Sequence, residues 1–400
     1  MNTEPKKNQN KLKRRDFLTL GALATAGLTV QTSLANASPQ NVQALKSNSV
    51  KPQEWRNRQS EMSYRQLGRT GYMVSEFVSG GDPIRLDNYK HLNLALEKGL
   101  NYLDMAPAYG RGECEETYGK FLKESGARDK VFLNTKISGF NSLRVRLYRD
   151  IFKGLPSGKQ EAIQKKAQAM REARAVDKPG YFLTYWNGQR ERFEGCYLAN
   201  AMMADYAHLV DGSPEFRKFI FASIEKSLTR VGTDYFDLVM CPHGADSAEE
   251  VLMPEIYEVM DELKKQGKIR ALGVSTHNDP AGVLTAAAKS GQYDAAMMAY
   301  NVINGGYLDP AIDVAHEAGM GIIGMKVAMA VSNHHGIYVP DWRIQKLNHM
   351  IPGEMKPPMK AYLWALQNPK ITAVISNLWD ETYVNENLSL AGKKVELVES

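Results

Sequence analysis

The chain has 400 residues, 43% hydrophobic and 24% charged, an ordinary globular composition that excludes a collagenous or disordered chain. Its formal net charge is +5, but residues 1–37 hold six basic and two acidic side chains, so the rest carries only +1. That balance gives no whole-chain reason to expect nucleic acid or a membrane surface as partner. The three cysteines, Cys114, Cys196 and Cys241, are odd in number and widely spaced. They fit neither a disulfide framework nor a metal site, so no metal is expected.

From the N-terminus, a basic stretch (Lys11 to Arg15) precedes an apolar run (Phe17 to Val30) broken by Gly21 and Gly27. Ala35-Asn36-Ala37 then offers the small residues that a signal peptidase reads. The run is too short to span a bilayer comfortably. Arg14-Arg15-Asp16-Phe17-Leu18 resembles a twin-arginine export signal. Residues 1–37 are therefore expected to be a signal peptide taken by the twin-arginine export machinery. The product would be periplasmic, without stable membrane association after cleavage. An ordinary secretory signal or a retained anchor are the alternatives. Residues 38–61 are polar and aperiodic and read as a linker.

From residue 62 to 392 the pattern becomes regular. Candidate strands are Glu76 to Gly80, Asn101 to Met105, Lys130 to Ile137, Tyr235 to Cys241, Ile269 to Val274, Ala295 to Ala299, Gly321 to Lys326 and Thr372 to Ile375. Helical patterns lie between them, for example Glu115 to Lys123, Phe216 to Arg230, Ile256 to Lys265 and Pro310 to Glu317. The strands are short and continuously apolar, as parallel strands buried on both faces must be. Eight strands alternating with helices predict an α/β architecture closed as a (β/α)8 TIM barrel. Ser79-Gly80-Gly81-Asp82 after the first strand is not the glycine-rich turn of a dinucleotide-binding open sheet.

A long insertion, residues 140–215, follows strand 3. It carries helical patterns, an aromatic cluster (Tyr181, Phe182, Tyr185, Trp186) and, between Arg144 and Arg192, twelve basic against five acidic residues. Loops after strands lie at the C-terminal face, where barrel active sites are built. A lid, an oligomer contact or a solvated decoration would each suit it.

Four polar residues fall at that same face. Asp104 ends strand 2, Tyr109 follows five residues later, Lys136 ends strand 3, and His243 follows strand 4. Each alone has a plain structural explanation as a cap, a packing ring, a surface lysine or a core histidine. Together they bring an acid, a base and a charge pair to one barrel mouth.

These residues resemble the Asp, Tyr, Lys, His tetrad of the aldo/keto reductase superfamily. Tyr64-Arg65-Gln66-Leu67-Gly68-Arg69-Thr70-Gly71 looks like that family's opening hairpin. Gly99-Leu100-Asn101-Tyr102-Leu103-Asp104 with Ala108-Tyr109-Gly110 looks like its second-strand signature. Gly273-Val274-Ser275 and Glu386-Asn387 look like its cofactor segments. The resemblance implies NAD(P)H-dependent reduction of an aldehyde or ketone, or the reverse oxidation. Tyr109 would be the proton donor and Lys136 would lower its pKa. Asp104 would hold Lys136, and His243 would orient the substrate oxygen. Cofactor contacts would fall at Ser275, Thr276, Ser376, Asn377, Glu386 and Asn387. The cofactor is left as NADP or NAD, because Ser376 to Glu381 contains no basic residue to meet a 2′-phosphate. Lys326 could supply that charge from strand 7, but it reads first as structural or surface.

Two other readings stay open. One is a dinucleotide-binding barrel of low turnover, acting as a sensor or partner subunit. The other is a barrel lyase or isomerase using Lys136. The substrate pocket is expected to draw on the insertion and on residues 327–355, including Trp342 and His334-His335. A basic insertion suits an anionic or polyhydroxylated substrate.

Overall fold

A computed structural model describes residues 51–210, 214–332 and 335–399. The expected signal peptide and residues 38–50 lie outside the described residues, as does His334. No helix among the described residues is long and apolar enough to cross a membrane.

Eight parallel strands close into a barrel. They are β4 (Phe77–Gly80), β5 (Tyr102–Asp104), β6 (Phe132–Lys136), β7 (Phe236–Met240), β8 (Ile269–Thr276), β9 (Ala295–Ala299), β10 (Gly321–Met325) and β11 (Ala373–Ser376). Strand β11 returns to β4 through Val374 opposite Phe77, which seals the ring. The numbering begins with β1 (Glu54–Trp55), β2 (Tyr64–Gln66) and β3 (Tyr72–Ser75), a small sheet outside the barrel. This is the expected TIM barrel, and the apolar runs explain it. In Phe236–Met240, alternate residues Leu238 and Met240 join the barrel interior, while Val239 packs into the surrounding helix layer. A strand buried on both faces has no polar face to alternate with.

The β2–β3 hairpin closes the N-terminal end, placing Leu67, Tyr72 and Val74 in the interior cluster. The chain before it differs from the expected linker. Glu54–Trp55 pairs in parallel with β3. Arg56 ion-pairs with Glu54 at 2.6 Å and with buried Asp237 at 3.0 Å. These contacts join residues far apart in sequence, so no local periodicity marks them.

The insertion is helical: Phe140–Lys153, Ser157–Arg174 and Gln189–Val210. The helix Pro214–Val231 then completes the third barrel unit against Glu113–Ser125. The insertion rests on the loop after β7. Asn141 Nδ2 donates to the Gly244 carbonyl at 3.1 Å and to Glu250 at 2.7 Å. Arg192 ion-pairs with Asp246 at 3.0 Å and also donates to the Gly244 carbonyl. It is thus fastened at the C-terminal face, beside the candidate site.

Candidate active site

Parallel register brings the predicted residues together. Asp104 lies opposite Asn134 across β5 and β6, and Lys136 opposite Met240 across β6 and β7. Lys136 Nζ meets Asp104 Oδ1 at 2.5 Å and donates to the Met105 carbonyl at 3.0 Å. Asn134 Nδ2 donates to the same carboxylate oxygen at 2.5 Å. Asn134 was not singled out from the sequence; its place two residues before Lys136 on one strand was the available clue. Burial pushes the Asp104 carboxyl up from its usual range, against the pull of Lys136 and Asn134.

Tyr109 follows in the short turn Tyr109–Gly112, where Gly110 and Arg111 both take left-handed backbone (φ 58° and 56°). Its ring lies over Lys136, with Nζ 4.8 Å from the centroid. His243 meets it edge to face at 6.0 Å. The expected lowering of the phenol pKa is not what the structure gives. Burial first, then Asp104 and Asp82, push it well above 10. Lys136 sits under the ring rather than at the hydroxyl, and its charge is already matched by Asp104. Among the described residues the Tyr109 hydroxyl has no hydrogen-bond partner, and the residue lines the cleft.

His243 Nδ1 is 2.7 Å from Ser138 Oγ, which fixes the ring. Burial, then Lys136, Arg192 and Lys326, hold its pKa well below the ordinary histidine range. It is therefore a neutral imidazole at physiological pH.

A cleft of about 530 Å³ opens at this face. Asp104, Tyr109, Met297, Met325 and Lys326 lie along it, with Asn377, Tyr383, Glu386 and Asn387 from the C-terminal segment. Three of the six expected cofactor residues thus line it. Ser275, Thr276 and Ser376 do not; all three are fully buried. Ser275 Oγ accepts from the Gly244 amide at 2.8 Å, and Ser376 Oγ accepts from Asn387 at 2.9 Å. Those side chains position neighbouring elements. Thr276 Oγ1 is buried with no hydrogen-bond partner among the described residues.

Lys326 differs from its expected surface role, because it lines the cleft. Trp186 and Arg192 from the insertion also reach the site, through His277 and through the His243 and Gly244 carbonyls. Gly81 is required here, since a Cβ would meet the Asp104 carbonyl at 2.4 Å.

An Asp–Lys pair beneath a cleft-lining tyrosine, at the C-terminal mouth of a (β/α)8 barrel, defines the aldo/keto reductase class. The aldo/keto reductase family pattern matches residues 85–330, and the chain belongs to that family. It is 28% identical to aldo-keto reductase YhdN of Bacillus subtilis over 223 residues, 54% of this chain and 47% of that protein. It is 26% identical to the uncharacterized oxidoreductase YqkF of the same organism, over 54% of this chain and 49% of that protein. The chain thus spans about half the length of the curated relatives it matches. Aldo-keto reductase AKR11C1 from Bacillus halodurans (holo form) shares the fold, with TM-score 0.55, 20% identity, and coverage of 84% of this chain and 92% of that one.

Proposed function

We propose that the chain is an NAD(P)H-dependent oxidoreductase that reduces an aldehyde or ketone to an alcohol, or runs the reverse, with Tyr109 as general acid. The observation that carries this reading is the cleft-lining Tyr109 stacked over an ammonium that Asp104 holds at 2.5 Å. A nicotinamide dinucleotide suits the lining. Apolar Met297, Met325 and Ile375 alternate with polar Asn377, Glu386 and Asn387 around about 530 Å³. Those residues would hold it, with Tyr383 offering an aromatic face. When bound, the dinucleotide supplies or accepts the hydride.

The chain's own groups handle the proton. As carbonyl carbon gains a hydride, negative charge builds on oxygen. A phenol with a raised pKa stays protonated and is ready to donate to a far more basic alkoxide. The Lys136 cation under the ring offsets the charge of the phenolate left behind. His243, neutral and held by Ser138, donates a hydrogen bond without competing for that proton. Burial of Asp104 and Lys136 strengthens the interactions they make by excluding water.

Tyr109→Phe removes only the hydroxyl. Turnover of a carbonyl panel with NADH or NADPH should fall by about 10³-fold, within the range of general acid catalysis, while cofactor binding by fluorescence titration persists. Undiminished turnover would refute the assignment. Cofactor binding with no turnover in the unmodified chain would instead favour a sensor or partner subunit.

A further inference from the structure

Lys326 follows β10 in left-handed backbone, φ 58°. That conformation is unfavourable for a lysine, and such strain gathers at functional sites. Its side chain lines the cleft with Asp104, Tyr109 and His277. Nζ lies 5.7 Å from the Trp186 ring centroid, and Trp186 meets His277 edge to face at 4.8 Å. Trp186 of the insertion thus packs against both Lys326 and His277, which line the cleft.

The charges in this corner are lopsided. After burial, the groups that hold His243 and His277 below the ordinary range are cationic: Lys136, Arg192 and Lys326 act on both. Asp82 and Asp104 support the Lys326 charge, yet burial outweighs them and pushes its pKa down. An ammonium that has lost its water gains most from a new counter-charge. Along the cleft the corner offers one such ammonium, Lys326, and the His277 imidazole, with the Trp186 ring packed against both. That set matches a single negative charge. A phosphate would carry a second charge, and among the described residues the neighbouring cations are already committed, Lys136 to Asp104 and Arg192 to Asp246.

Building on the reductase reading, we propose that Lys326, with His277 and Trp186, forms an anion subsite beside Tyr109, and that the substrate is a carbonyl compound bearing a carboxylate next to the carbonyl. The basic bias of the insertion accords with attraction of such an anion to the mouth.

The test uses the full chain with phenylglyoxylate and its uncharged methyl ester, in the unmodified protein, Lys326→Met and Lys326→Asn. Asparagine tolerates left-handed backbone, so it separates loss of charge from loss of local geometry. Thermal unfolding midpoints confirm that each variant folds. The acid-to-ester ratio of kcat/KM should fall about tenfold or more in both variants, the scale of one charge-assisted contact. Tryptophan fluorescence titration with phenylglyoxylate alone should show the same loss of affinity. If the protein binds the acid in a Lys326-dependent way but reduces neither compound, the reductase reading falls and the anion subsite stands. If neither the ratio nor the affinity responds to Lys326, or if its loss weakens NADH binding instead, the subsite is overturned.

Discussion

Lys136 lies between two side chains with different claims on it: its Nζ is 2.5 Å from Asp104 Oδ1 and 4.8 Å from the centre of the Tyr109 ring. The ion pair is the stronger of the two. It is almost wholly buried, with Lys136 at 1% and Asp104 at 3% side-chain exposure, so water screens it little. The contact with the phenol ring is a weaker cation–π interaction. Burial, and then the Asp104 and Asp82 carboxylates, keep the phenol protonated, and the pairing of Lys136 with Asp104 leaves that balance standing. The lysine's charge is spoken for until a phenolate forms beside it.

Asp104→Asn tests that ranking. It keeps the shape of the side chain but leaves the Lys136 ammonium buried with only neutral acceptors, a change of the kind that costs roughly 3–5 kcal/mol. Denaturant unfolding should show a loss on that scale, and turnover should fall by on the order of 10²-fold as the acid–base pair is misaligned. A variant with unaltered stability and turnover would show that the pair is incidental.

A preference between the two dinucleotides is predicted from Asp380. Its Oδ1 accepts from the amides of Thr382 at 2.8 Å and Tyr383 at 3.2 Å, capping the helix Glu381–Leu388. The nearby Lys356 is paired with Glu386 at 2.5 Å. A 2′-phosphate at this end would meet an exposed carboxylate and no free cation among the residues lining the cleft's C-terminal end. NADH should therefore bind more tightly than NADPH. Asp380→Ser preserves a capping oxygen while removing the charge. Because solvent screens the site, the expected narrowing of the preference is modest, about three- to fivefold. Fluorescence titration with both cofactors decides it; tighter NADPH binding by the unmodified chain would reverse the assignment.

The barrel was legible because burial on both faces leaves a sequence mark. Ala295–Ala299 matches its expected strand to the residue, and the tetrad positions follow from where each apolar run stops. The helix Gly305–Glu317 begins five residues before the expected Pro310, which lies inside it. A Gly-Gly start followed by an internal proline conceals a helix from propensity. Lys326 was misread because a left-handed turn after a strand redirects a side chain that composition would place at the surface. Ser275 and Ser376 were misread for the opposite reason. Their segments border the site, but which way each hydroxyl faces depends on contacts with Gly244 and Asn387 that no local pattern encodes.

The joint between insertion and barrel should respond to pH. Glu250 Oε2 accepts from Asn141 Nδ2 of the insertion and from the Asp246 amide, both at 2.7 Å. Burial, and then the adjacent Asp246 carboxylate, push its pKa up to about 7, against the opposing pull of Arg144. In the unfolded chain it titrates near the ordinary value of about 4.3. Between those values the folded protein holds a proton that the unfolded chain has released. Its contribution is therefore complete below the unfolded value and is lost as pH rises through about 7. The expected decline is on the order of 2–3 kcal/mol. Glu250→Gln should abolish this share of the slope and be relatively more stable at pH ~8 than at pH ~5 when compared with the unmodified chain. Urea unfolding of both proteins at the two pH values measures the difference. Parallel pH profiles would mean that Glu250 does not carry that proton.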